Sequence, residues 1–398
     1  MRLRPEIYGQ AFRRACDALP SLDHRILRDR ADASGRVAEL GEHPWPRRFV
    51  LVTHRACFQT LGVAEVLLDL GRRAWTEDES EAERYAELAL AVLDHLPANV
   101  YPEALVHDFQ ARAWAHVANA RRIRSEFDRS EEAFRRAGAL LQAGTGDASE
   151  LAGLLELRAS LARARRRFDE AERLLRRVIG IYRDIGDRHL EGRGLIGLAL
   201  LRYCLDEPAA ALELIESAAA CIDGHREPHL RFVLAKNRAL YLSALGRTDE
   251  ARALLPEARR LARGLGNRLD HLRLLWVSAL IHRDRGREEL AALALRRVVD
   301  GFVAERLPFD AALAALDLAV LYLQAGRADD TAVFAREIAM VFATLDVQPD
   351  LLAALALFHQ AAEHKSVTLQ LLTELSREVR RGGSAHELVG PFRRSDEP

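Results

Sequence analysis

Leu230-Arg231-Phe232-Val233-Leu234-Ala235-Lys236-Asn237-Arg238-Ala239-Leu240-Tyr241-Leu242, then Gly246, then Thr248-Asp249-Glu250-Ala251, is the stretch whose reading decides the fold. Apolar residues at intervals of three and four mark an amphipathic helix. Gly246 suits the left-handed conformation that ends helices. Thr248 reads as the N-cap of a second helix, and the two acids after it favour that helix's positive end. Ala251, Leu254, Leu255, Ala258, Leu261 and Ala262 share one face of this second helix, and Gly264 and Gly266 close the unit. The segment is a helix–turn–helix hairpin.

The hairpin recurs. Ala171, Ala211, Ala251, Ala291 and Thr331 repeat at a spacing of 40, as do Ala159, Ala199, Ala239, Ala279 and Ala319 twelve positions upstream. Gly246, Gly286 and Gly326 keep the same beat at the turn. A fixed period in this range marks a solenoid, in which each unit buries its apolar face only against its neighbours. Small residues at fixed positions let paired helices approach closely. The expected fold is therefore all-α: an α-solenoid of antiparallel helix hairpins.

Hairpins are placed near 102–143, 148–184, 188–222, 228–264, 268–304, 308–345 and 349–381, with a less regular one over 47–96. The domain reading is an N-terminal helical cap and connector over 1–46 and an irregular first hairpin over 47–101. The repeat array follows over 102–381, and a disordered tail over 382–398. Within the first segment, residues 5–40 read as two short helices and His43-Pro44-Trp45-Pro46 as a rigid connector.

Composition narrows the function classes. Hydrophobic residues make up 49% of the 398, enough for extensive burial, yet no run reaches the ~20 apolar residues of a spanning helix. The start, Met1-Arg2-Leu3-Arg4-Pro5-Glu6, has no apolar stretch before a cleavage site, so a cytoplasmic protein is expected. A net charge of −1 argues against general nucleic-acid binding by phosphate neutralisation. Of 58 basic residues only Lys236 and Lys365 are lysine, which reads as a GC-rich genome rather than a phosphate-binding design. Cys16, Cys57, Cys204 and Cys221 form no C-x-x-C pair and no zinc-spaced cluster.

The repeats resemble the tetratricopeptide repeat, with Leu155-Ala159-Ala162-Phe168-Ala171-Leu175-Val178 matching its pattern. The standard unit has ~34 residues, whereas this one has 40. The longer unit is similar to the TPR-like arrays of bacterial helix-turn-helix/TPR regulators, and Ile181-Tyr182-Arg183-Asp184-Ile185-Gly186-Asp187-Arg188 is typical of that subgroup. The resemblance covers roughly residues 102–380. It implies a right-handed superhelical α-solenoid in which the first helix of each hairpin lines a concave groove. In register, the groove positions are Glu156, Arg193, Tyr203, Lys236, Asn237, Arg273, Trp276 and Arg283. Asn237 could clamp a peptide backbone, Trp276 could anchor an apolar side chain, and the cations could take carboxylates.

No catalytic, cofactor or metal constellation is legible. There is no H-E-x-x-H, G-x-S-x-G or P-loop, and His359 and His364 lie five apart, off a shared helix face. Gly192-Arg193-Gly194-Leu195-Ile196-Gly197 spells a dinucleotide fingerprint, but it sits inside a helical repeat rather than after a strand. Its glycines read as close helix contacts. Arg121, Arg122, Arg124, Arg163, Arg165, Arg166, Arg167, Arg283, Arg285 and Arg287 read as helix C-terminal charges offset by neighbouring acids, with an anionic partner as the other reading.

The leading expectation is a non-catalytic protein–protein interaction scaffold that binds a peptide or protein segment, with no cofactor and no membrane contact. The alternative is a ligand- or peptide-responsive regulatory module of a bacterial transcriptional control system. Arg47–Val52 and Thr60–Leu68 look like the segment joining the two parts of such regulators, but residues 1–46 show no recognition helix. Direct nucleic-acid binding is therefore not expected. A homo-oligomer assembled through terminal hairpins stays compatible with the pattern.

Overall fold

The turn of the repeat is a backbone device. A computed structural model of the chain describes residues 24–75, 79–124, 126–305, 307–343 and 370–374, and all regular secondary structure among them is helical. Arg166, Asp206, Gly246, Gly286 and Gly326, forty residues apart in turn, all take positive φ between 59° and 73°. After four of them the next N–H bonds back across the turn: Glu207 to the Arg202 carbonyl, Arg247 to Leu242, Arg287 to His282 and Arg327 to Tyr322. This is the Schellman closure, which satisfies a carbonyl that the ending helix would leave orphaned. The turn is so tight that Thr248, expected as the N-cap, is already the first helical residue, and Arg247 occupies the cap position without a side-chain bond.

The chain divides into two units, Met1–Ala164 and Arg165–Pro398. In the first, α1 covers 24–41 and is followed by α2 (Trp45–His54), a short 3₁₀ turn (Ala56–Phe58), α3 (Leu61–Ala74) and α4 (Glu79–Asp94). Then come α5 (Glu103–Ile123), α6 (Phe127–Gln142) and α7 (Ala148–Ala164). Pro44 and Pro46 open α2, in keeping with the fit of proline to a first helical turn, so the stretch expected as a connector starts a helix. Gly62 lets α3 press on the backbone of α1, where a methyl group would collide with the Asp29 carbonyl. The core runs through α3 to α7, with Leu67, Leu68, Ala86, Ala89, Phe109, Val117, Phe134 and Leu161 buried together.

The second unit holds α8 (Phe168–Asp184), α9 (Arg188–Cys204), α10 (Pro208–Ala219), α11 (Pro228–Ala244), α12 (Thr248–Leu265), α13 (Arg268–Asp284), α14 (Glu288–Ala304), α15 (Pro308–Gln324) and α16 (Ala328–Ala343). Consecutive helices pack on one another from α8 to α16. The periodic small residues are the contact points: Ala171, Ala199, Ala211, Ala239, Ala251, Ala279, Ala291, Ala319 and Thr331 are each no more than 1% exposed. The three glycines of the spurious fingerprint serve the same purpose. A methyl at Gly192 would lie 2.9 Å from Cys221, at Gly194 2.9 Å from Ile179, and at Gly197 2.9 Å from Leu175.

Residues 1–23, the tail over 382–398 and the expected hairpin over 349–381, apart from 370–374, lie outside the described residues. Among the described residues no helix is long and apolar enough to cross a membrane.

Candidate functional site

In the second unit the first helices of successive hairpins are tied by side chains one repeat apart. His229 Nε2 lies 3.0 Å from Asp270 Oδ2. The Ser243 hydroxyl donates to Asp284 Oδ2 at 2.7 Å, and Trp276 Nε1–H donates to Asp317 Oδ2 at 2.8 Å. Each pair is separated by 41 residues, so α11, α13 and α15 are held in register by carboxylates that the later helix supplies to the earlier one. Asp270 also sits where Asn267 caps α13, the Asn267 side chain accepting from the Asp270 N–H at 3.2 Å.

Lys236, on α11, is half-buried on this face near Arg273, Asp270 and Asp310. Burial lowers its amine to about 8, with the Arg273 charge acting in the same direction and the two carboxylates opposing it. Among the described residues neither Lys236 nor Arg273 enters a hydrogen bond or ion pair. Asn237, beside them, is 2% exposed, and its Oδ1 has no hydrogen-bond partner among the described residues.

The other expected groove residues are more committed. Trp276 packs edge-on to Phe302 with ring centroids 5.7 Å apart, so its indole is a structural tie as well as a surface. Arg283 turns to Asp284, with Nη2 2.9 Å from Oδ1. Arg193 reaches Glu227 at 3.3 Å, and Tyr203 stacks at a tilt on Tyr241, centroids 5.2 Å apart. Glu156 lies on α7 of the first unit, half-buried, its carbonyl accepting from Ser160 at 3.3 Å. The structure thus gathers Lys236, Asn237 and Arg273, with Trp276 one turn beyond Arg273 on α13. The carboxylate ties at Asp270, Asp284 and Asp317 were missed in the sequence. A search for acids one repeat beyond polar residues of a first helix would have found them.

The Ser278 hydroxyl is spent on the Leu274 carbonyl at 2.8 Å, and that of Ser243 on Asp284. Among the described residues no group of histidines, cysteines and acids is placed to hold a metal ion. The arginines read as helix-end charges pair with acids: Arg121 with Glu83 at 2.7 Å, Arg124 with Glu126 at 2.9 Å, and Arg285 with Asp249.

No protein-family model and no curated protein sequence matches the chain. Similar solved structures include two whose likeness spans most of the chain. A Rap protein in complex with competence and sporulation factor matches over 83% of this chain and 90% of that one, with a TM-score of 0.61 at 14% identity. Aspartyl phosphate phosphatase F from Bacillus subtilis matches over 72% of this chain and 73% of its own, with a TM-score of 0.53 at 14% identity. At such identities the likeness speaks for the fold: an all-helical, TPR-like solenoid of helix hairpins.

Proposed function

We propose that the chain is a non-catalytic interaction scaffold that binds a protein or peptide segment along the first-helix face of the second unit. The observation that carries this reading is the buried Asn237 amide oxygen without a partner, set beside the unpaired cations of Lys236 and Arg273. Leaving a buried acceptor unsatisfied costs about 1–3 kcal/mol. A backbone N–H of an extended segment would supply the missing donor, and two adjacent like charges call for a carboxylate between them. An acidic or C-terminal segment meets both needs. The Rap protein of the same fold is complexed with competence and sporulation factor, which supports partner binding here. The partner is a protein segment, not a lipid or nucleic acid, and the expected compartment is the cytoplasm.

The test is capture of partners from native lysate by wild type and by Asn237→Ala and Lys236→Ala, with melting curves as the check on folding. The reading expects one protein lost in both variants at unchanged Tm, and equal recovery by all three would refute it. The name of aspartyl phosphate phosphatase F makes hydrolysis of aspartyl phosphate the turnover to assay. A scaffold acting by binding produces none on its own. The second reading, a peptide-responsive regulatory module, draws on the factor-bound Rap protein. It differs in requiring that the captured partner change activity on binding.

A further inference from the structure

One second helix is short. α10 has 12 residues, whereas α8, α12 and α14 have 17, 18 and 17. At 1.5 Å per residue the deficit is about 8 Å of helix. The chain spends the missing length on a pinned loop. Asp223 N–H donates to His189 Nδ1 at 3.0 Å, which places the His189 proton on Nε2. Asp223 Oδ1 accepts from the His225 N–H at 2.8 Å, and Arg226 pairs with Asp187 at 2.9 Å.

Where α10 stops, a cavity of about 360 Å³ opens between α10, α11 and α12. Its apolar surface comes from Ile222, Leu234 and Leu254. Of its charged groups, Arg238 and Glu216 neutralise each other at 2.7 Å. Arg231 and Glu257 enter no ion pair among the described residues. Arg231 is also positioned: its stem lies flat on Gly224, where a methyl would collide with its Cγ and Cδ. Arg231, Leu234 and Arg238 form a stripe on α11 at three- and four-residue spacing. At 100° per residue this stripe faces away from Lys236, with Asn237 about a quarter-turn from it, so the cavity opens on the side of α11 opposite Lys236.

We infer that this cavity binds a short zwitterion with aliphatic side chains, its carboxylate on Arg231, its ammonium on Glu257 and its side chains on Ile222, Leu234 and Leu254. A simple anion would leave Glu257 beside a like charge, and a simple cation would do the same to Arg231, whereas a molecule carrying both satisfies both. The volume lies at the lower end of ligand pockets, about 300–1,000 Å³, which suits one or two amino-acid residues.

Isothermal titration of the full chain with L-leucyl-L-leucine tests this, with the N-acetyl and C-terminal amide forms as comparisons. The free dipeptide is expected to bind saturably, and each capped form about tenfold more weakly or less well still. Arg231→Gln should erase the preference for a free carboxylate only, and Glu257→Gln the preference for a free ammonium only. Both side chains are exposed, so both variants should keep the fold. Gly224→Ala should weaken binding, because the added methyl collides with the Arg231 stem and displaces it. Absence of saturable binding by the dipeptide would overturn the assignment. So would capped forms that bind as tightly as the free one, or charge variants that leave both preferences intact.

Discussion

Glu83 in the first unit is held from two sides, by Arg121 at 2.7 Å and by Arg124, and Arg124 continues to Glu126 at 2.9 Å. Buried Asp108 likewise takes the Thr145 N–H at 3.1 Å and its hydroxyl. On the first-helix face of the second unit the Arg273 charge acts on Lys236 without such closure, and Asn237 keeps a buried acceptor open. Polar groups in the first unit complete networks, and a completed network stabilises without needing anything from outside. An incomplete one costs stability and persists where a partner finishes it. The proposed binding face rests on this contrast. The first unit has one marked exception. His116 and Trp75 lie edge-on with centroids 4.9 Å apart, and His116 Nδ1 and Trp75 Nε1 lack hydrogen-bond partners among the described residues.

The largest expected effect addresses the independence of the two cores. Phe302 is fully buried against Trp276, so Phe302→Ala should cost about 3–5 kcal/mol. Hydrogen exchange should show protection lost in α13 to α15 while α3 to α6 keep theirs. Equal loss in both regions would mean the units unfold as one.

Acid should act on the first unit. Burial, and then the charges of Arg112 and Arg72, push His116 down to about 3 from an ordinary 6.5, against the opposing hydrogen bond to the Leu68 backbone. The unfolded chain therefore binds one more proton in this window. Stability present in full above pH 6.5 is lost progressively as the pH falls towards 3. Each unit of that fall is worth about 1.4 kcal/mol per proton. Denaturant midpoints measured from pH 7 to 4 should fall, and the fall should be shallower in His116→Phe.

Partner binding should respond to alkali through the second unit. The Lys236 amine carries its charge below about pH 8 and loses it above. Affinity for an acidic segment should then weaken about tenfold, or 1.4 kcal/mol, between pH 7 and 9. Lys236→Arg should remove that dependence, since a guanidinium stays charged. A pH dependence unaltered in the arginine variant would place the charge elsewhere.

The smallest effects test the turn. Gly246→Ala forces a side chain into a positive-φ site (73°) and should cost about 1 kcal/mol, whereas Asp206→Gly relieves the same site (66°) and should gain up to about 1 kcal/mol. Thermal melts of the two variants should move in opposite directions.

Much of the hairpin array was legible because the alanines and glycines mark it. Ala211, Ala251 and Ala291 are buried where spacing placed them, since only small residues fit where paired helices cross. Two of the five left-handed turn sites were invisible to a search for glycine, because Arg166 and Asp206 occupy them. The end of α10 was equally hidden. Ala218-Ala219-Ala220-Cys221-Ile222 reads as continuing helix, whereas the helix stops at Ala219. No local preference ends it, and the loop beyond is pinned by His189 and Asp187 from the preceding helix and turn.

Local periodicity is enough to set the helices, their hairpin pairing and the forty-residue beat, because spacing of apolar and small residues is a property of the chain in one dimension. The pairing of Trp276 with Asp317, the like charges of Lys236 and Arg273, and the cavity beside the short α10 arise only after packing. Each depends on which side chains from helices about 40 residues apart meet, and a carboxylate's partner is chosen by distance in space.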